Sequence, residues 1–299
     1  MFFEYKIEEA QEGQTIDSFL RKKGYSRRLI IELKSWEEGI LVNGERRFTN
    51  YPLKAGELLQ ITLPPEESSE HIDGVSMPLD IIYEDAHILA VNKPADMPVH
   101  PSMNNHENTL ANGVAWYFAK KNQPFVFRCV NRLDRDTTGL VLLAKHALSG
   151  CILSEMVKKR SLKREYLCIC KGRVEKAGTV DLPIGRLPGS ALMRCIDLEG
   201  GDRAVTHYRP VAWEKDMTLL RIQLETGRTH QIRVHMGALG HPLPGDYLYH
   251  PDYSHIKRQP LHSESLTFHH PITGEEMKLM APVPEDMRRL FPEYFHTFF

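Results

Sequence analysis

The pattern of apolar and polar positions divides this chain near Pro64 to Pro78. Before that stretch, Thr15 to Lys23 reads as a short helix closed by Gly24. Ser26 caps a second helix whose Leu29, Ile30, Leu33 and Trp36 recur at helical spacing, with Gly39 ending it. Arg27, Arg28 and Lys34 fall away from that apolar stripe. Ile40-Leu41-Val42 predicts a strand, Asn43-Gly44 a tight hairpin turn, and Leu58 to Leu63 a further strand with alternating character. Two helices followed by a small sheet are expected. Pro64-Pro65-Glu66-Glu67-Ser68-Ser69-Glu70 is polar, opens on proline and carries no apolar period, so it reads as a linker between a domain of residues 1–70 and one of 71–299.

Beyond the linker, Leu79 to Tyr83 and Ile88 to Val91 predict two strands joined by a tight reversal at Glu84 to His87. Asn108 to Lys121 and Ala147 to Lys159 read as helices. Leu140 to Ala144 is a continuous apolar run, a buried strand that anchors a turn at Thr137-Thr138-Gly139. Tyr166, Cys168 and Cys170 alternate with Leu167 and Ile169 on a strand, and Thr218 to Glu225 alternates again. Thr226-Gly227 then turns the chain into a helix reaching Leu239, stopped by Gly240. Strands and helices do not alternate regularly, which predicts an α+β fold: a mixed, mostly antiparallel central sheet with flanking helices.

Composition narrows the class without naming a function. The 299 residues, 41% hydrophobic and 26% charged, describe an ordinary globular chain. No apolar stretch nears the ~20 residues of a membrane span, and Met1-Phe2-Phe3-Glu4-Tyr5 lacks the start of a signal peptide. A cytoplasmic protein is expected. Cys129, Cys151, Cys168, Cys170 and Cys195 suit neither a disulfide framework nor a zinc knuckle, so reduced thiols are expected. His230, His235 and His241 have no matching acid spacing, so no metal site is expected.

The formal net charge of −1 argues against a nucleic-acid partner, but the distribution of charge softens it. Lys158 to Arg173 holds seven basic residues against Glu165 alone, and Arg21 to Arg47 holds eight against four acids. Charge runs of this kind are usually solvated faces, and only a motif gives them more meaning.

The motif is Arg132-Leu133-Asp134-Arg135-Asp136-Thr137-Thr138-Gly139, in which Asp134 stands between two arginines ahead of the buried strand. It closely resembles the signature of the RluA/RluD family of RNA pseudouridine synthases. Three further segments fit in the family's order: Asn92-Lys93-Pro94 with Val99-His100-Pro101, then Lys163-Arg164-Glu165-Tyr166, then Thr226-Gly227-Arg228-Thr229-His230-Gln231-Ile232-Arg233-Val234-His235-Met236. Gly39 to Gly44 and Leu53 to Glu57 resemble a small αL-type module, the S-four-like RNA-binding domain, which that family often carries at its amino end.

The resemblance implies an isomerase that detaches uracil from ribose at nitrogen 1 and rejoins it through carbon 5, with no redox cofactor or energy source. It implies Asp134 as the catalytic carboxylate, acting as nucleophile or as proton acceptor. Arg233 pairs with it, and Tyr166 stacks on the uracil. Arg132 fills the gap left by the extruded uridine, while Asn131, Ile232 and Lys163 are expected around the substrate. Arg27, Arg28 and Lys34 are expected on RNA phosphates. Two departures stand out: Asn131 replaces a usual His, and Asp96 replaces a glycine, a position where Asp tolerates left-handed backbone. Ribosomal RNA is the expected partner, with a transfer RNA substrate or an idle RNA-binding protein as alternatives, and a monomer is the default.

Overall fold

The computed structural model describes residues 1–102 and 106–298. The first 63 residues build a sheet in the order Phe2–Lys6, Leu58–Thr62, Ile40–Val42, Glu45–Arg46, backed by helices Ile16–Lys22 and Arg27–Ser35. Thr15 and Ser26 cap these helices by accepting from the amides of Ser18 and Leu29. Asn43 and Gly44 both take positive φ, the backbone that a two-residue hairpin between Val42 and Glu45 requires. The opening strand Phe2–Lys6 was not foreseen, because its apolar positions are few and its burial alternates only between exposed and half-buried. Trp36 is also a correction: the helix stops at Ser35, and the indole is exposed instead of joining the stripe.

The stretch at 64–78 is not a free linker. Ser68 and Ser69 hydroxyls accept from the amides of Phe125 and Phe127, and Glu66 grips Arg128 through two bonds of 2.5 and 3.0 Å. The core of the first 63 residues is likewise completed from outside by Leu148, with Ile152 beside it. A Cβ on Gly24 would lie 2.5 Å from Cγ1 of Ile152, so the two units meet at helix Ala147–Lys158 in close packing.

Among the described residues, ten strands form the large sheet. Its main path runs Gly178–Asp181, Val205–Glu214, Met217–Leu224, Lys163–Lys171, Leu261–His269, Thr138–Ala144, Ile88–Lys93, Asp80–Glu84. All pairings along it are antiparallel except Leu261–His269 with Thr138–Ala144, so the sheet is mixed and mostly antiparallel, as expected. Thr138–Ala144 is buried at all seven positions because helices cover both faces. One face packs Phe118, Ile232 and Met236 from helices Leu110–Lys120 and Gln231–Ala238. The other packs Leu153 and, further along, Met287, Phe291 and Phe295.

Gly139 belongs to this strand and not to the predicted turn, which falls at Arg135–Asp136. Its φ of 108°, and the Ser263 backbone nitrogen 2.6 Å from where a Cβ would sit, leave room only for glycine at the parallel pairing. Asp96 takes φ 56°, the left-handed backbone expected of it.

Candidate functional site

Asp134 lies on the loop between the short strand Arg128–Cys129 and Thr138–Ala144, and that loop is fastened along its length. Asn131 donates from Nδ2 to the carbonyl of Leu140, and its Oδ1 accepts from the amide of Leu142, both at 2.9 Å. Lys93, fully buried, donates from Nζ to the carbonyls of Pro94 and Arg135 at 2.7 and 2.8 Å. Arg258 donates to the carbonyl of Asp136, and the amide of Thr137 closes back on Asp134. A charged side chain on such a loop keeps its place without rearrangement when a ligand arrives.

Facing it, helix Gln231–Ala238 presents Arg233. His230 enters this helix with φ 59°, so the predicted helical start at Thr226-Gly227 is instead a looped turn. Gln231 secures that turn: its Oε1 accepts from Thr226 Oγ1 and Arg228 N, while Nε2 donates to Val205 and Thr206.

Arg233 sits between two carboxylates. It donates from Nη1 to Asp134 at 2.9 Å, and from Nε and Nη2 to Asp246 at 2.6 and 2.7 Å. The Arg233 and Asp246 side chains are each 1% exposed, whereas that of Asp134 is 25% exposed. Burial works against the guanidinium's charge, but the bonds and charges of Asp246 and Asp134 more than offset it and keep Arg233 protonated. Asp246 is itself held by the amides of Leu248 and Tyr249. The Tyr247 and Tyr249 rings flank the guanidinium at 5.7 and 5.0 Å, and the Tyr249 hydroxyl bonds His230 Nδ1 and the amide of Arg194.

Asp134, His230 and Arg233 border a hollow of about 610 Å³, within the usual range for a ligand site. Asn131, Arg132, Leu133, Asp134, Tyr166, Ile232 and Arg233 all line it. Tyr166 is buried, which raises its phenol pKa, so at neutral pH it offers a flat, uncharged ring. Arg132 makes no ion pair among the described residues. Burial, and secondarily Arg132, lowers the pKa of His100 at the rim.

Two of the expected substrate residues are placed differently from the others. The amide of Asn131 borders the hollow but is committed to the backbone of Thr138–Ala144, so it shapes the loop. Lys163 is exposed and lies outside the lining, because side chains alternate along Lys163–Lys171. Arg164 and Tyr166 share the hollow's face, and Glu165, one position away, bonds Ser265 elsewhere. Arg27, Arg28 and Lys34 are exposed on the first unit, away from the hollow, and Arg28 pairs with Glu32 at 3.1 Å. Sequence reasoning missed Asp246. Its only signal is an acid after Gly245 in an otherwise apolar stretch. Lys93 was noticed only as part of a motif; burial, countered by Asp136 and Asp134, lowers its pKa to about 7.

Among the described residues, no group of three or more His, Cys, Asp or Glu side chains is arranged to hold a metal ion, and no helix is long and apolar enough to cross a membrane.

Known proteins share this arrangement of sequence. A family profile described as RNA pseudouridylate synthase matches residues 87–238, which contain Asp134, Tyr166 and Arg233. An uncharacterized RNA pseudouridine synthase of Bacillus subtilis, YjbO, is 43% identical over 277 residues, 92% of this chain and 98% of its own length. The ribosomal large subunit pseudouridine synthase D of Haemophilus influenzae is 37% identical over 304 residues, covering 95% of this chain and 92% of that protein. Among solved structures, human RNA pseudouridylate synthase domain containing 1 superposes with a TM-score of 0.58 at 26% identity, over 69% of this chain and 83% of that one. With the profile spanning the hollow and these relatives spanning nearly the whole chain, this protein belongs to the RNA pseudouridylate synthase family and is an RNA pseudouridine synthase.

Proposed function

We propose that this enzyme converts uridines of large-subunit ribosomal RNA to pseudouridine, with Asp134 as the catalytic carboxylate and no cofactor. The observation that carries the reading is the contrast within one triad: a carboxylate open to the hollow, held by an arginine that is itself clamped from behind by a buried second carboxylate. Such a carboxylate stays ionised and aimed while still able to reach a substrate.

In this reading the uridine leaves its helix and stacks on Tyr166, a contact worth about 1–3 kcal/mol for a base on an aromatic ring. Arg132, unpaired and at the edge of the hollow, occupies the vacated place. Asp134 acts on the sugar or the base. The bond from ribose carbon 1′ to nitrogen 1 breaks, uracil turns within the hollow, and carbon 5 takes its place. The proton leaving carbon 5 balances the one gained at nitrogen 1, so the product is an isomer. Ile232 gives the turning base an apolar wall.

Residues 1–70 act in this proposal as an S-four-like RNA-binding domain, with Arg27, Arg28 and Lys34 on phosphates, in a cytoplasmic monomer. The ribosomal assignment draws on the relatives' names, which specify the ribosomal large subunit for synthase D of Haemophilus influenzae and of Vibrio parahaemolyticus. A pseudouridine map of ribosomal and transfer RNA from cells lacking the gene, rescued with wild type or Asp134→Ala, tests it. A large-subunit uridine restored only by the wild type supports both RNA and residue. A site restored in transfer RNA removes the ribosomal assignment, and rescue by Asp134→Ala removes the residue's role.

A further inference from the structure

Four arginines besides Arg233 line the hollow: Arg132, Arg160, Arg164 and Arg228. Two have acids of their own. Arg160 pairs with Glu225 at 2.7 Å and Arg228 with Asp202 at 3.2 Å. Arg164 differs, for it makes no ion pair among the described residues, and its Nε is buried without a hydrogen-bond partner. Nε is closed off by the protein, so a ligand entering the hollow meets the outer guanidinium nitrogens, whose charge has no acid partner among the described residues.

The guanidinium is also confined. Gly227, in the turn that leads to Arg233, lies so near that a Cβ there would come 2.7 Å from Arg164 Nη1. The side chain lines the hollow on the same side of its strand as Tyr166 and two positions from it, about 6.6 Å along the backbone.

We propose that Arg164 is a substrate-binding residue that holds a phosphate of the target RNA strand next to the uridine on Tyr166. This rests on the role of Tyr166 given above. A uracil carbonyl could accept from one outer nitrogen of the guanidinium but would leave the positive charge uncompensated. The two carboxylates that line the hollow are engaged by other residues, Asp134 by Arg233 and Glu225 by Arg160 and His207. A phosphodiester supplies both the charge and two oxygens that match the guanidinium fork. Through this contact the enzyme grips the backbone beside the reacting nucleotide whatever the neighbouring bases, which is positioning without sequence readout.

The test uses in vitro transcripts of large-subunit ribosomal RNA and of transfer RNAs, with the RNA that the wild type converts carried forward. A wild type active only on transfer RNA removes the ribosomal assignment and leaves this test intact. Arg164→Gln is expected to raise KM on the order of tenfold, with kcat within about twofold. It should also flatten the slope of log affinity against log salt by about 0.7, the share of one phosphate on a single strand. Arg164→Lys keeps the slope, since the charge remains, but raises KM through loss of the fork. Gly227→Ala needs only the tip of the guanidinium to move, so it folds and raises KM with the slope retained. Tyr166→Leu separately reads the stacking role: intact turnover there would remove that role while the salt slope still reports on Arg164. Arg164→Gln with unchanged KM and unchanged slope, or with a loss confined to kcat, overturns the proposal.

Discussion

Replacing Asp246 by asparagine should destabilise the protein far more than replacing Asp134, although both carboxylates touch the same arginine. Asp246 accepts from Arg233 Nε at 2.6 Å and Nη2 at 2.7 Å, and from the amides of Leu248 and Tyr249 at 3.0 and 3.2 Å. Asparagine keeps the oxygen that serves Nη2 and the two amides, but sets an NH2 group against Nε–H where a carboxylate oxygen had accepted. A charge-assisted bond becomes a donor–donor conflict in a site 1% exposed. Breaking a buried ion pair costs about 3–5 kcal/mol, and because Asp134 still neutralises Arg233 the lower end applies, about 3 kcal/mol. At roughly 2–3 °C per kcal/mol for a chain of this size, the melting temperature should fall by about 6–9 °C. Asp134→Asn removes a partly open carboxylate with one arginine bond, and Arg233 retains its Asp246 clamp, so the loss should stay near 1 kcal/mol. Calorimetry of the three proteins at equal concentration, alongside pseudouridine formation, measures both quantities. The expected pattern is a folded, inactive Asp134→Asn and a softened Asp246→Asn. Equal falls in melting temperature, or a fall under about 2 °C for Asp246→Asn, would refute the view that Asp246 carries the structural half of the triad.

Three further outcomes are expected. Gly139→Ala should lower stability by more than about 2 kcal/mol in denaturant titration, because φ of 108° disfavours any side chain and the Ser263 backbone occupies its space. Lys93 has a folded pKa of about 7, below its unfolded value, so the unfolded chain binds the extra proton between about pH 7 and 10.5. Wild type should therefore gain stability over Lys93→Met as pH rises from 7.5 to 9, approaching about 1.4 kcal/mol per pH unit, and the gain is lost as pH falls back to 7, with no dependence below; parallel stability curves would contradict this. Replacing Arg27, Arg28 and Lys34 together by glutamine should weaken RNA binding and flatten its salt slope by about 2, with melting temperature unchanged, since all three are exposed. An unaltered slope would remove them from the RNA contact.

Sequence was most informative where a local signal and its structural cause coincide. Asn43-Gly44, the caps Thr15 and Ser26, and the apolar run ending at Ala144 could be read because turn geometry, capping and burial act within a few residues. Strands such as Leu261–His269 were not read, since their Ser263, Glu264 and Ser265 are polar yet buried between neighbouring strands. Long-range pairing hides in the same way. Asp246 is separated from Arg233 by 13 residues and from Asp134 by 112, and no period or spacing links them. The motif points to Lys163 at the substrate, but strand alternation puts Arg164, one position on, in the lining of the hollow.

Helix Ala147–Lys158 has one end in the core of the first unit, through Leu148, and the other at the hollow, through Val157 and Lys158. Ten residues of helix span about 15 Å. With Gly24 packed against Ile152 and Glu66 locked to Arg128, that span does not stretch. Under the proposed RNA-binding role of the first unit, an RNA held there would meet the hollow at a fixed distance, so the helix would act as a ruler between a folded landmark and the reacting uridine.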